Sequence, residues 1–126
     1  MKVNVQDLRG ASLDWAVERA LGTPWDEGKQ GFTIARGSFY YSDIRSEWPY
    51  SIDAIAALPI IEKNFISATP LMKLDHTLDK WLGKSTFGVY ATGPTLLIAA
   101  MRCFVKMCFA SGEVDVPDEI MRYSEY

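Results

Sequence analysis

Apolar residues recur along this chain in two rhythms, and the changes between them mark out its elements. From Ala11 onward, Leu13, Ala16, Val17, Ala20 and Leu21 repeat at three and four residues while Asp14, Glu18 and Arg19 take the opposite face, which predicts an amphipathic helix. Ser12 supplies its cap, Gly22 and Pro24 close it, and Trp15 stands at the border of the apolar face. The longest apolar run with both ends marked extends from Gly93 to Gly112. Gly93-Pro94 offers a start at which a missing N–H costs nothing, and Gly112 a stop that tolerates positive φ. Its only charges, Arg102 and Lys106, lie four residues apart on one face. A helix apolar on its other faces must be covered on several sides, so this segment is expected to be the central helix of the fold.

The remaining pattern is shorter. Val3 and Val5 alternate with Lys2 and Asn4, as in a short edge strand. The glycine-rich, proline-containing stretch from Gly22 to Gly31 reads as a loop. Two β-prone runs, F-T-I-A and S-F-Y-Y, flank Arg36-Gly37 and predict a tight hairpin. A short helix over Asp53 to Leu58 should end before Pro59, and P-I-I-E-K-N-F-I fits either a helical turn or a buried strand. Thr69-Pro70 reads as a break; Leu74, Leu78, Trp81 and Leu82 then sit at helical spacing up to Gly83. Thr86 to Tyr90 predicts a strand, and Val114 and Val116 alternate before a final turn at Pro117 that Asp118 and Glu119 would favour. Together these elements predict a single α+β domain over residues 1–126. It would pack a small antiparallel sheet on two main helices and keep its C-terminal central helix largely buried.

Composition narrows the function classes. A chain of 126 residues, 48% hydrophobic and 23% charged, is long enough to hold a core without metal or disulfide. Its net charge of -3 argues against nonspecific nucleic-acid binding, which draws on lysine and arginine. Cys103 and Cys108, five positions apart, diverge around a helix and cannot pair there, which points to reduced core thiols. The N-terminus lacks the apolar core of a secretory signal, and Leu96 to Met101 is too short to span a bilayer, so a soluble cytoplasmic protein without membrane attachment is expected.

Candidate chemistry is sparse. Gly83-Lys84-Ser85 resembles the end of a phosphate-binding loop, but Leu78 stands where the first glycine belongs. His76, beside Asp75 and Asp79, has no nucleophile at a recognisable spacing, and a solvated helix face explains it as well. With Cys103 and Cys108 it would still leave zinc one ligand short. No catalytic residue, metal or cofactor is therefore expected. The tentative binding residues are Arg36 and Tyr40 in the aromatic hairpin, Trp48 and Tyr50 around Pro49, and Arg102 on the narrow polar stripe of the central helix. Arg102 could hold an anion, or pair more simply with a carboxylate of the acidic tail formed by Glu113, Asp115, Asp118 and Glu119.

The run G-P-T-L-L-I-A-A-M-R-C-F-V from Gly93, followed by E-V-D-V-P-D-E-I from Glu113, resembles the C-terminal signature of the phage NinX-like family, small proteins of unknown function. L-D-W-A-V from Leu13 resembles its N-terminal signature, and P-I-I-E from Pro59 a third block. The chain departs from the family where Ala57-Leu58 replaces a Gly-Gly before P-I-I-E, and its spacing after Trp48 is longer. The resemblance implies phage or prophage origin and a host-cytoplasmic location, and carries no activity or cofactor with it. The leading expectation is a non-enzymatic accessory protein that binds a host or phage protein, with a homo-oligomer as a further option. The alternatives are a small enzyme or ligand binder with a site near His76 and Arg102, and a single-stranded nucleic-acid binder using Arg36, Phe39 and Tyr40.

Overall fold

The computed structural model describes residues 1–22, 25–26, 31–34, 37–40 and 50–121. The fold is α+β. In chain order it runs β1 (Lys2–Asn4), a 3-10 turn (Val5–Asp7), α1 (Gly10–Ala20), β2 (Trp25–Asp26), β3 (Gly31–Ile34) and β4 (Gly37–Tyr40). After these come α2 (Ala54–Lys63), β5 (Ile66–Met72), β6 (Leu78–Ser85), β7 (Tyr90–Gly93), α3 (Leu96–Cys108), β8 (Glu113–Asp115) and α4 (Asp118–Met121). Among the described residues the strands form three small antiparallel sheets, β1-β8, β2-β3-β4 and β5-β6-β7, rather than one.

The expected central helix is α3. Residues Ala99 to Val105 are all buried, because α1 and α2 cover some of its faces and β5, β6 and β7 cover others. Met101 and Val105 within it, and Leu8, Leu13, Val17 and Ile120 outside it, are fully buried. Its cap is Thr95, whose hydroxyl accepts from the Ile98 N–H at 3.2 Å, so Gly93 belongs to β7 and not to the helix start. Thr95→Ala should cost about 1 kcal/mol, the usual worth of such a cap, measured by urea unfolding. Beyond Cys108, Phe109 caps the helix and a short turn leads to Gly112 at φ 75°.

Helix α1 starts at Gly10, close to the expected position, but its polar side is not solvated. Asp14 and Glu18 are both buried, so the amphipathic reading of this helix fails at two of its three charges. Both carboxylates serve the segment entering α2: Asp14 accepts from the Ser51 N–H at 2.8 Å, and Glu18 accepts from the Tyr50 hydroxyl.

Four other expectations are corrected. Residues 74–82 form the turn and second strand of the β5-β6 hairpin instead of a helix, and Leu74 is fully exposed. There the Asp75 carboxylate accepts from both the N–H and the hydroxyl of Thr77, a local turn that lets His76 adopt φ 68°. Pro70 does not break the chain; it sits in β5, an edge strand, where a missing N–H need leave no ladder bond unmade. Helix α2 likewise runs through Pro59, and the carbonyl deprived of its N–H belongs to Ile55, which is exposed to water. Finally, β7 begins at Tyr90 because Thr86 to Val89 turn around Ser85, whose hydroxyl accepts from the N–H groups of Phe87 and Val89. The expected hairpin is present as the pairing of β3 with β4, from Gly31 opposite Tyr40 to Ile34 opposite Gly37, so Gly37 belongs to β4, while Arg36 lies outside the described residues.

Candidate functional site

The site grows from Arg102. Its place in the middle of α3 buries the side chain to 8% exposure, and two backbone carbonyls hold it: Nε donates to Leu8 O and Nη1 to Thr92 O, each at 2.8 Å. A guanidinium has five N–H donors, so three remain, and among the described residues no protein group accepts from them. Burial lowers its pKa from the ordinary arginine value, while Asp7 raises it and Arg9 lowers it further. Arg102 looks into an open cleft of about 560 Å³ whose wall includes Lys2, Asn4, Asp7, Arg9 and Met121. The expected ion pair with a tail carboxylate is replaced by carbonyl bonds; Asp115 and Asp118 instead take the Met1 amine, at 3.1 and 3.5 Å.

The cleft also borders a strand edge. Met1 and Val116 exchange backbone hydrogen bonds, and Val5 N–H donates to Gly112 O at 2.9 Å. In an antiparallel ladder the bonded and non-bonded pairs alternate, so Lys2 and Asn4 turn their N–H and C=O groups away from β8. Both residues line the cleft. The neighbouring edge of β7 is treated differently: the Gln6 side-chain amide accepts from Thr92 N–H at 2.9 Å and donates to the Thr92 hydroxyl at 2.9 Å, closing that position.

Most of this geometry lies within residues 4–108, which match the family model described as Bacteriophage P22, NinX. The chain belongs to the phage NinX family. Among curated proteins, none matches it. The NinX match stops at Cys108, so the E-V-D-V-P-D-E-I block lies beyond it, although β8 in that block completes the ladder with β1. Among the described residues of this NinX-family chain, no helix is long and apolar enough to cross a membrane, and no group of three metal-ligating side chains forms.

Of the described side chains singled out by sequence, Arg102 lines the cleft and Tyr50 and His76 do not. Tyr50 is 2% exposed, with its hydroxyl on Glu18, and offers no surface aromatic. Arg36 and Trp48 lie outside the described residues, and of Phe39 and Tyr40 only the backbone, in β4, is described. His76 sits in the exposed turn of the β5-β6 hairpin and does not line the cleft, so the expected pairing of His76 with Arg102 does not form there. Lys106 leaves Arg102 as well: its ammonium donates to Tyr90 O at 3.2 Å and lies 5.1 Å from the centre of the Tyr90 ring. Cys103 is buried, which pushes its thiol up to about 11, whereas Cys108 is exposed. Sequence reasoning missed Lys2, Asn4, Gln6 and Arg9. The alternation at Val3 and Val5 was the available signal for the strand edge.

Proposed function

We propose that this NinX-family chain is a non-enzymatic phage accessory protein that acts in the host cytoplasm by binding another protein, of the host or of the phage. The observation that carries this reading is Arg102: a buried cation, fixed by Leu8 O and Thr92 O, with three donors left for something else. The two carbonyls already fix the guanidinium, so an incoming acceptor can use the remaining donors at little further cost in ordering. The groups around it favour recognition over bond-making. Lys2, Arg9 and Arg102 are basic side chains, and His76, the one histidine, is elsewhere.

The test is retrieval followed by reconstitution. The tagged chain should retain a specific protein from infected-cell lysate at physiological salt, and the two purified proteins should then sediment as a stoichiometric complex. A deep search that yields no protein able to form such a complex overturns the reading.

A further inference from the structure

The ladders of this fold have exposed edges that natural sheets ordinarily protect. The β5 edge carries Pro70, and the β7 edge is closed at Thr92 by Gln6 and Arg102. The β1 edge has neither device. Lys2 turns its backbone N–H and C=O outward and Asn4 its N–H, while the Asn4 carbonyl starts the 3-10 turn; among the described residues no strand pairs with these outward groups. Among the described residues that line the cleft, Lys2, Arg9 and Arg102 carry basic side chains against one carboxylate, Asp7, and the Met1 amine beside them is already paired with Asp115 and Asp118.

We propose that the open edge of β1 and the Arg102 guanidinium together receive an extended acidic segment of the partner protein, which adds a strand to β1 and seats a carboxylate on Arg102. This deepens the protein-binding reading and rests on it. The outward N–H groups of Lys2 and Asn4 repeat every second residue, about 6.8 Å apart, which is the spacing an added strand presents. The three free guanidinium donors suit a carboxylate, which accepts two parallel N–H bonds in the plane of the fork. Exposed Lys2 and Arg9 would attract the same charge over a longer range, and that part of the attraction falls with salt. A nucleic-acid strand could satisfy the cations, but it has no alternating N–H and C=O groups to pair with the edge.

The probe is a short fluorescent peptide of alternating valine and glutamate, compared with its glutamine counterpart by anisotropy on the full chain. The glutamate peptide should bind about tenfold more tightly, and Arg102→Gln should abolish the difference. Because Arg102 also ties down two carbonyls, Arg9→Gln serves as a second variant that leaves the fold intact; it should reduce the preference and its salt dependence. The strand-addition element is tested at Asn4, whose φ of -65° already suits proline. Asn4→Ala removes only the cap that its side chain gives Gln6 N–H, whereas Asn4→Pro also removes the outward N–H. Asn4→Pro should bind the peptide several-fold more weakly than Asn4→Ala. Equal affinity for the two peptides, equal binding by the two Asn4 variants, or preference for an oligothymidylate over the glutamate peptide would each overturn the inference. A reconstituted partner that the glutamate peptide fails to displace also overturns it, while leaving the protein-binding reading in place.

Discussion

Gly83→Ala is expected to destabilise the protein by about 3 kcal/mol, at the upper end of the cost of overpacking. A Cβ at Gly83 would lie 2.5 Å from the carbonyl oxygen of Ala99 and 2.8 Å from its carbonyl carbon. These are backbone atoms in the buried first turn of α3, so no side-chain rotation can relieve the clash; the helix must move off β6. Gly93, on the adjacent strand, faces the same stretch, where a Cβ would come 2.8 Å from Ala99 N and 2.9 Å from an Ile98 methyl. Its replacement should cost somewhat less, because one of the two obstacles is a side chain. Gly88→Ala separates close packing from backbone preference: it has φ 89° with open space around it, and about 1 kcal/mol is expected from the left-handed conformation alone. Urea midpoints with unchanged slopes would report all three. A Gly83→Ala protein as stable as Gly88→Ala would mean that α3 does not press on the sheet at these glycines.

This contact explains where sequence reading of the fold succeeded and where it stopped. The run centred on α3 was legible because seven consecutive buried residues leave a strong apolar signal. Gly83 and Gly93 were also conspicuous, but a glycine looks the same whether it ends a helix or lets a helix lie against a strand, and only the three-dimensional neighbour decides. The β5-β6 hairpin was misread for a related reason. Leu74, Leu78, Trp81 and Leu82 have helical spacing, yet Leu74 is fully exposed and Trp81 and Leu82 are only half-buried, so the spacing records no common face. The turn information lay in the short polar run Asp75 to Thr77, where a carboxylate bonds the backbone two residues on.

The site was less legible than the fold. Arg102 could be noticed as a charge in an apolar helix, but its bonds go to the backbone carbonyls of Leu8 and Thr92, and a carbonyl leaves no mark in sequence. Lys2, Asn4 and Arg9 are ordinary polar residues until the pairing of β1 with β8 fixes which way the backbone of Lys2 and Asn4 points. Tyr50 was misplaced because an aromatic beside proline in a polar stretch reads as surface. Its actual partner, Glu18, was itself assigned to solvent.

The buried acid next to Glu18 leads to the second large effect: Asp14→Asn should stabilise the protein near pH 8 by several kcal/mol and leave it almost unchanged near pH 4. Burial is the main influence on Asp14 and pushes its pKa from 3.8 up to about 7, against the opposing hydrogen bonds from Ser51. Between those two values the folded chain holds a proton that the unfolded chain has released. Stability must therefore fall as pH rises through this window and level off above about 7, with a total loss of order 4 kcal/mol at 1.36 kcal/mol per unit. An asparagine keeps an oxygen for the Ser51 N–H, now 2.8 Å from the carboxylate, and never acquires the charge. Urea unfolding of both proteins from pH 4 to 8 isolates this residue, since every other titrating group is shared. Parallel curves would show that Asp14 is solvated when ionised, and that the contact between α1 and the entry to α2 is looser than its geometry indicates. Divergence that grows through the window and stops near pH 7 would place a destabilising charge in the L-D-W-A-V segment. That charge would be held there at the expense of stability, on the helix that packs against α3.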